Sequence, residues 1–105
     1  MLPEISVKEL HELKNKKADI FILDVRNQDE FALCNLGGHL IPFKELPARL
    51  NELNPEQTIV VHCHGGGRSS RATEFLLAQG FKDVRNLRGG IAAWANEIDP
   101  TMAKY

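Results

Sequence analysis

Apolar and polar positions fall into distinct blocks along this chain. "DIFILDV", residues 19–25, and "QTIVVHC", residues 57–63, are apolar runs of strand length. Such runs belong to strands covered on both faces. Elsewhere the period lengthens. In "VKELHELKNK" the apolar Val7, Leu10 and Leu13 recur at helical spacing, behind a capping box of Ser6 and Glu9. "NQDEFALCNL" repeats that signal with Asn27 and Glu30, and predicts a short helix. Gly37 and Gly38 break it, and "HLIP" reads as a short extended segment. "FKELPARLNEL" is helical in part, with Pro47 suited to a first turn. "RSSRATEFLLAQG" predicts an amphipathic helix with Ala72, Phe75, Leu76 and Gln79 on one side and Gly80 as its stop. "KDVRNL" reads as a short strand and "GGIAAWANEI" as a last helix.

Strands alternating with helices predict an α/β fold with a mainly parallel, covered sheet. A length of 105 residues suits one domain over residues 1–105. Ligands of such sheets bind beyond the carboxyl ends of the strands. Asp24 and Cys63 each sit at such an end, so one sheet edge brings them together.

Composition narrows the setting. The net charge is −1, which gives no sign of nucleic-acid or membrane binding. No apolar run approaches the ~20 residues that span a bilayer. The first residues, "MLPEISVKEL", lack the pattern of a signal peptide. With only Cys34 and Cys63, a reducing cytoplasm is the simpler expectation. Between His62 and Ala95 five basic residues (Arg68, Arg71, Lys82, Arg85, Arg88) face two acidic ones, Glu74 and Asp83. That excess reads either as solvated helix faces or as an anion-friendly surface.

The chemistry concentrates in "VVHCHGGGRSS", residues 60–70. Cys63 ends a strand, His64 to Gly67 turn sharply, and a helix follows. Glycines let backbone N–H groups point into the turn, where successive amides form an anion nest. The helix adds the positive end of its dipole. Together these favour thiolate over thiol at Cys63, and the same amides suit a persulfide anion. The candidate loop is therefore His64, Gly65, Gly66, Gly67, Arg68 and Ser69 around Cys63. The Arg68 fork serves either an incoming oxyanion or a neighbouring carboxylate. His62 and His64 flank the cysteine on extended backbone, and with no C-x-x-C motif we expect no metal site. Cys34 reads as a buried cysteine within a helix.

Four segments in order, "LDVRNQDEF", "GGHLIP", "IVVHCHGGGRSSRATEFLLAQGF" and "VRNLRGGIAAW", resemble the rhodanese-like domain family from end to end. The resemblance rests on Asp24 and Arg26, on Cys63, Gly66 and Arg68, and on Asn86, Leu87, Gly89, Gly90 and Trp94. It implies a three-layer α/β/α domain with a five-stranded, mainly parallel sheet. It also implies a sulfurtransferase working through a persulfide on Cys63, with Asp24 and Arg26 in support and no cofactor. "CNLGGHLIPFKELPARL" and "WANEIDPTMAKY" are similar to the C-terminal sulfurtransferase domain of adenylyltransferase–sulfurtransferases, which implies a ubiquitin-like sulfur carrier or another thiol as acceptor. The family's usual G-H-I-P-G-A departs here to "GGHLIPFKE", with an added residue between His39 and Pro42.

The loop also resembles that of the protein tyrosine phosphatases, whose signature holds one more residue between Cys and Arg. A shorter ring of amides suits one terminal sulfur better than three phosphoryl oxygens. A phosphatase needs a general acid as well; Asp24, Asp29 and Glu30 are candidates, and none is marked for it. For Asp24, hydrogen bonding the loop or pairing with an arginine is the expected role. Because the loop carries no Lys or Arg before Arg68, the expected donor is a protein or small-molecule persulfide, with thiosulfate turned over in vitro. Two other readings stand beside the enzyme: a non-catalytic partner-binding module, and a phosphatase or arsenate reductase.

Overall fold

The computed structural model describes residues 2–105; residue 1, counted in the domain expected over 1–105, lies outside them. Five strands form one sheet: β1 (Glu4–Ile5), β2 (Ile20–Asp24), β3 (His39–Leu40), β4 (Thr58–His62) and β5 (Asp83–Leu87). Their order across the sheet is β1-β5-β4-β2-β3. Every pairing is parallel, so all carboxyl ends share one edge. The helices are α1 (Val7–Asn15), α2 (Gln28–Leu33), α3 (Gly67–Ala78) and α4 (Gly90–Glu97), with a 3-10 segment over Phe43–Glu52. That segment is two short turns joined at a kink at Arg49.

Two cores cover the two faces of the sheet. One gathers Leu23, Val25, Ile59, Val61 and Cys63 from the β2 and β4 runs with Ala72 and Leu76 of α3 and Leu46 of the 3-10 segment. The other gathers Ile5, Val60 and Leu87 with Val7 and Leu10 of α1 and Ile91 and Trp94 of α4. The division follows from the period of two in a strand. Ile59, Val61 and Cys63 turn toward α3, and Val60 turns toward α1 and α4. Helices on both faces make the three-layer α/β/α arrangement.

Local signals set the helix starts. Ser6 Oγ accepts from Glu9 N, and Glu9 Oε1 accepts from Ser6 N, which completes the capping box of α1. Glu30 Oε1 accepts from Asn27 N at the start of α2.

Several expectations shift. Only Leu23 and Asp24 of β2 are fully buried; Ile20, Phe21 and Ile22 are half-buried. The reason is that β3 is two residues long and pairs only with Leu23 and Asp24. β1, also two residues long, gave no periodic signal. The buried stripe of α3 is Ser69, Ala72, Thr73 and Leu76, and Gln79 is exposed. Helix α3 starts at Gly67, before Arg68, and its first turns lie against the loop. Its buried hydroxyls are satisfied locally: Thr73 Oγ1 donates to Ser69 O at 2.8 Å. Cys34 lies just past α2 on extended backbone and is half-buried. After β3, Ile41 N and Phe43 N donate to the carbonyls of Asp24 and Val25, which closes the chain over the end of β2.

Candidate active site

Cys63 follows β4 directly, and its side chain is buried toward α3. Its Sγ accepts from Gly66 N at 3.2 Å and from Ser69 N at 3.4 Å. Ser69 is the third residue of α3, so Sγ takes the N–H that a capping side chain would otherwise take. The residue at the cap is Gly66, with no side chain and a φ of +122° that disfavours any other residue. Ser69 Oγ stands 3.3 Å from Sγ and 3.2 Å from Gly66 O, and its one proton serves either. Burial pushes the Cys63 thiol up. The Ser69 hydroxyl and the N–H groups of Ser69, Gly66 and Arg68 outweigh it, so the pKa lies below the ordinary thiol value.

The back of the loop is fixed by α4. Ile91 N donates to Cys63 O at 3.0 Å and Ala92 N to His64 O at 3.1 Å. A Cβ at Gly90 would lie 2.7 Å from Cys63 O and closer still to His64 O. Only glycine lets α4 approach this far. From β5, the buried Asn86 donates through Nδ2 to Ser70 Oγ at 3.1 Å, tying α3 to the sheet.

Arg68 does not point its fork into the ring. Nη1 donates to Glu30 Oε1 at 2.8 Å and Nη2 to Glu30 Oε2 at 2.9 Å. The Arg68 hydrogen bond holds the Glu30 carboxyl down at about 2. Of the two roles open to Arg68, the structure shows the pinning of the loop to a carboxylate.

Asp24 and Arg26 form a second, buried layer. Asp24 pairs in register with His62, the neighbour of Cys63, but alternation turns the two side chains away from the thiol face. Asp24 instead receives Arg26: Nε to Oδ1 at 2.9 Å and Nη2 to Oδ2 at 2.7 Å. The remaining Arg26 donors reach Cys34 O at 2.7 Å, Glu30 O at 3.3 Å and Tyr105 Oη at 2.9 Å. Tyr105 Oη in turn donates to Glu30 Oε2 at 2.9 Å. One polar chain thus runs from Asp24 through Arg26 and Tyr105 to Glu30 and Arg68. His64 is half-buried at the loop mouth, its ring 4.3 Å from that of Tyr105. His62 is buried, and neither ring nitrogen has a hydrogen-bond partner. Burial pushes its pKa down to about 4, against the pull of Asp24, whose Oδ2 lies 3.7 Å from Nε2.

The model of the rhodanese-like domain matches residues 6–97. The chain belongs to the rhodanese-like domain family. A sulfurtransferase of Allochromatium vinosum is 34% identical over 98% of this chain and 97% of its own length. The adenylyltransferase and sulfurtransferase MOCS3 of Arabidopsis thaliana is 33% identical over 96% of this chain, which spans only 25% of that protein. The crystal structure of a rhodanese-like domain protein from Staphylococcus aureus superposes with a TM-score of 0.84 at 33% identity, over 92% of this chain and 95% of that one.

In this rhodanese-like domain Gly66, Ser69 and the backbone N–H of Arg68 stand around the sulfur of Cys63. Gly65 continues the turn and Gly67 opens α3, neither hydrogen-bonded to Sγ, and Asp24 and Arg26 stand behind it. Sequence reasoning named Glu30 only as a helix cap and a candidate general acid, and it missed Tyr105. Glu30 carried a capping signal, which gave no hint of its second partner. Tyr105 carried no local signal at all.

Proposed function

We propose that the protein is a sulfurtransferase that carries sulfane sulfur on Cys63. The observation that supports it best is the environment of Sγ: a buried sulfur accepting from Gly66 N and Ser69 N, with the Ser69 hydroxyl 3.3 Å away, at the start of α3. These donors favour an anion the size of one sulfur, with no need for a countercharge inside the ring.

The Cys63 thiolate attacks the outer sulfur of the donor. A new S–S bond forms and the donor's bond to that sulfur breaks, its electron pair leaving with the departing group: sulfite from thiosulfate, or a thiolate from a persulfide. Cys63 then carries a persulfide, anionic on the outer sulfur and held by the same amides. An acceptor nucleophile attacks that sulfur, and the electron pair of the broken S–S bond returns to Cys63 as thiolate. The cycle has two half-reactions through one covalent intermediate, so ping-pong kinetics follow. Glu30 keeps the loop closed through Arg68, while Asp24 and Arg26 hold Glu30 and Tyr105 in position.

A phosphatase reading is weakened because both arms of the Arg68 fork are engaged by Glu30. A thiol or a sulfur-carrier protein is the proposed acceptor. Both cysteines are free thiols, which suits a reducing compartment such as the cytoplasm. Among the described residues no helix is long and apolar enough to cross a membrane.

Mass spectrometry after incubation with thiosulfate or a persulfide donor tests the proposal. One added sulfur is expected on Cys63, removable by cyanide or a reductant and absent from Cys63→Ser. A folded protein that takes up no sulfur from any donor overturns the reading in favour of a partner-binding module.

A further inference from the structure

We propose that a basic cavity beside the Cys63 loop, walled by Lys44, Arg68 and Arg71, binds the anionic portion of an organic thiol that accepts the sulfur from the Cys63 persulfide. This rests on the sulfur-transfer reading and adds the substrate class: a small thiol bearing two or more carboxylate or phosphate charges away from its sulfur.

The cavity has a volume of about 350 Å³ and is lined by Val25, Asn27, Phe43, Lys44, Arg68 and Arg71. It lies at the carboxyl edge of the sheet. Val25 continues β2, bonds through its N–H to His62 O at 3.1 Å, and packs in the same core as Cys63. The cavity therefore opens on the side of the sheet toward which the thiol points.

Its charge is one-sided. Three of the six lining residues are cationic and none is acidic. Arg68 is neutralised by Glu30. Lys44 and Arg71 have no ion-pair partner among the described residues. Helix α3 makes this charge more conspicuous. Its first turn holds no acidic residue, and Arg71 follows that turn directly. Cations near the positive end of a helix dipole repel it, and a bound anion relieves the repulsion.

The dimensions favour an organic ligand. A site of this volume falls at the lower end of small-molecule pockets, about 300–1,000 Å³. That is far more than one tetrahedral oxyanion fills, and Phe43 and Val25 supply apolar wall for a carbon skeleton. The cavity on the other flank of the loop, lined by His64, Ile91, Ala95 and Tyr105 among others, has about 230 Å³ and mainly apolar walls with one cation, Lys104. Charge recognition belongs to the Lys44 side. The ring around Cys63 holds no cation of its own, so these residues outside it give the site a means of selecting anionic substrates.

The test compares two acceptor thiols, dianionic mercaptosuccinate and neutral 2-mercaptoethanol, on wild type and on the double variant Lys44→Ala/Arg71→Ala. The ratio of their kcat/KM values is expected to fall about 10-fold in the double variant, as for two partly exposed charge contacts. It should fall further in Lys44→Glu/Arg71→Glu, and the wild-type ratio should contract as salt is added. A ratio unchanged by either double variant overturns the proposal. Sulfur uptake by Cys63, followed separately by mass spectrometry, reports on the transfer reading alone. The site is also read without turnover, by NMR titration of Cys63→Ser with mercaptosuccinate. Shifts of the Lys44 and Arg71 side-chain resonances support the site, and their absence overturns it whatever Cys63 does.

Discussion

Glu30 and Arg68 meet fork to fork across 38 residues of sequence, with both carboxylate oxygens engaged at 2.8 and 2.9 Å. One residue lies in the first turn of α2 and the other in the first turn of α3. Their contact clamps the glycine loop from outside the ring, and it has a measurable energetic signature.

Glu30→Gln removes the charge and keeps the shape. The pair is partly exposed, so the expected loss is about 1 kcal/mol, seen as a Tm lower by about 5 °C. The carboxyl sits at about 2 in the folded chain against an ordinary 4.5. A depressed carboxyl stabilises the fold above its unfolded value and loses that effect as pH falls through the folded one. The stability gap between wild type and variant should therefore close as pH drops from 4.5 toward 2, measured by urea unfolding. A constant gap would contradict the assignment.

Ser69→Ala removes the hydroxyl beside Sγ and keeps the backbone donors. The Cys63 pKa should rise, because the Ser69 hydroxyl is the largest of the contributions that lower it. Titration of the thiolate's ultraviolet absorbance measures the midpoint. An unmoved midpoint would assign the stabilisation of the anion to the amides alone.

His62 makes the fold acid-sensitive. Its folded pKa of about 4 lies below the ordinary 6.5, so the unfolded chain takes up the proton first. Stability should fall as pH drops from 6.5 to about 4, by on the order of 3 kcal/mol from this residue. His62→Leu is expected to flatten that slope. At neutral pH it should cost little, because neither ring nitrogen has a bond to lose. Urea unfolding of both proteins across this range checks it, and equal slopes would remove His62 from the account.

Gly90→Ala should be severe. The new Cβ would collide with the carbonyls of His64 and Cys63, at a backbone φ of +61°. We expect a loss above about 2 kcal/mol and a displaced loop with impaired sulfur uptake. Gly65→Ala meets nothing within 4 Å and should stay within about 0.5 kcal/mol of wild-type stability by thermal unfolding.

Local physics was the legible part of this chain. The capping pairs Ser6–Glu9 and Asn27–Glu30, the apolar runs ending at Asp24 and Cys63, and the glycine loop all act within a few residues. Alternation and capping rules therefore reach them. Burial of β2 was overestimated because coverage depends on the neighbouring strand, and β3 covers only its last two residues. The stripe on α3 was read from apolar side chains alone. Ser69 and Thr73 are buried there because their hydroxyls find partners close by, which apolar spacing cannot register. The partnership of Glu30 with Arg68, and of Tyr105 with Arg26 and Glu30, depends on strand order β1-β5-β4-β2-β3, a property of the whole chain.

The Arg26 guanidinium has a consequence for how the protein comes into being. It is buried and joins the end of β2, the end of α2 and the phenol of Tyr105. During synthesis Cys63 and its glycines leave the ribosome well before residue 105 does. Until Tyr105 arrives, the guanidinium lacks one acceptor, Glu30 lacks the Tyr105 phenol, and His64 lacks its ring partner. A nascent chain can fold its sheet around Cys63, but the tyrosine-bound form of the site is completed only once Tyr105 has joined it.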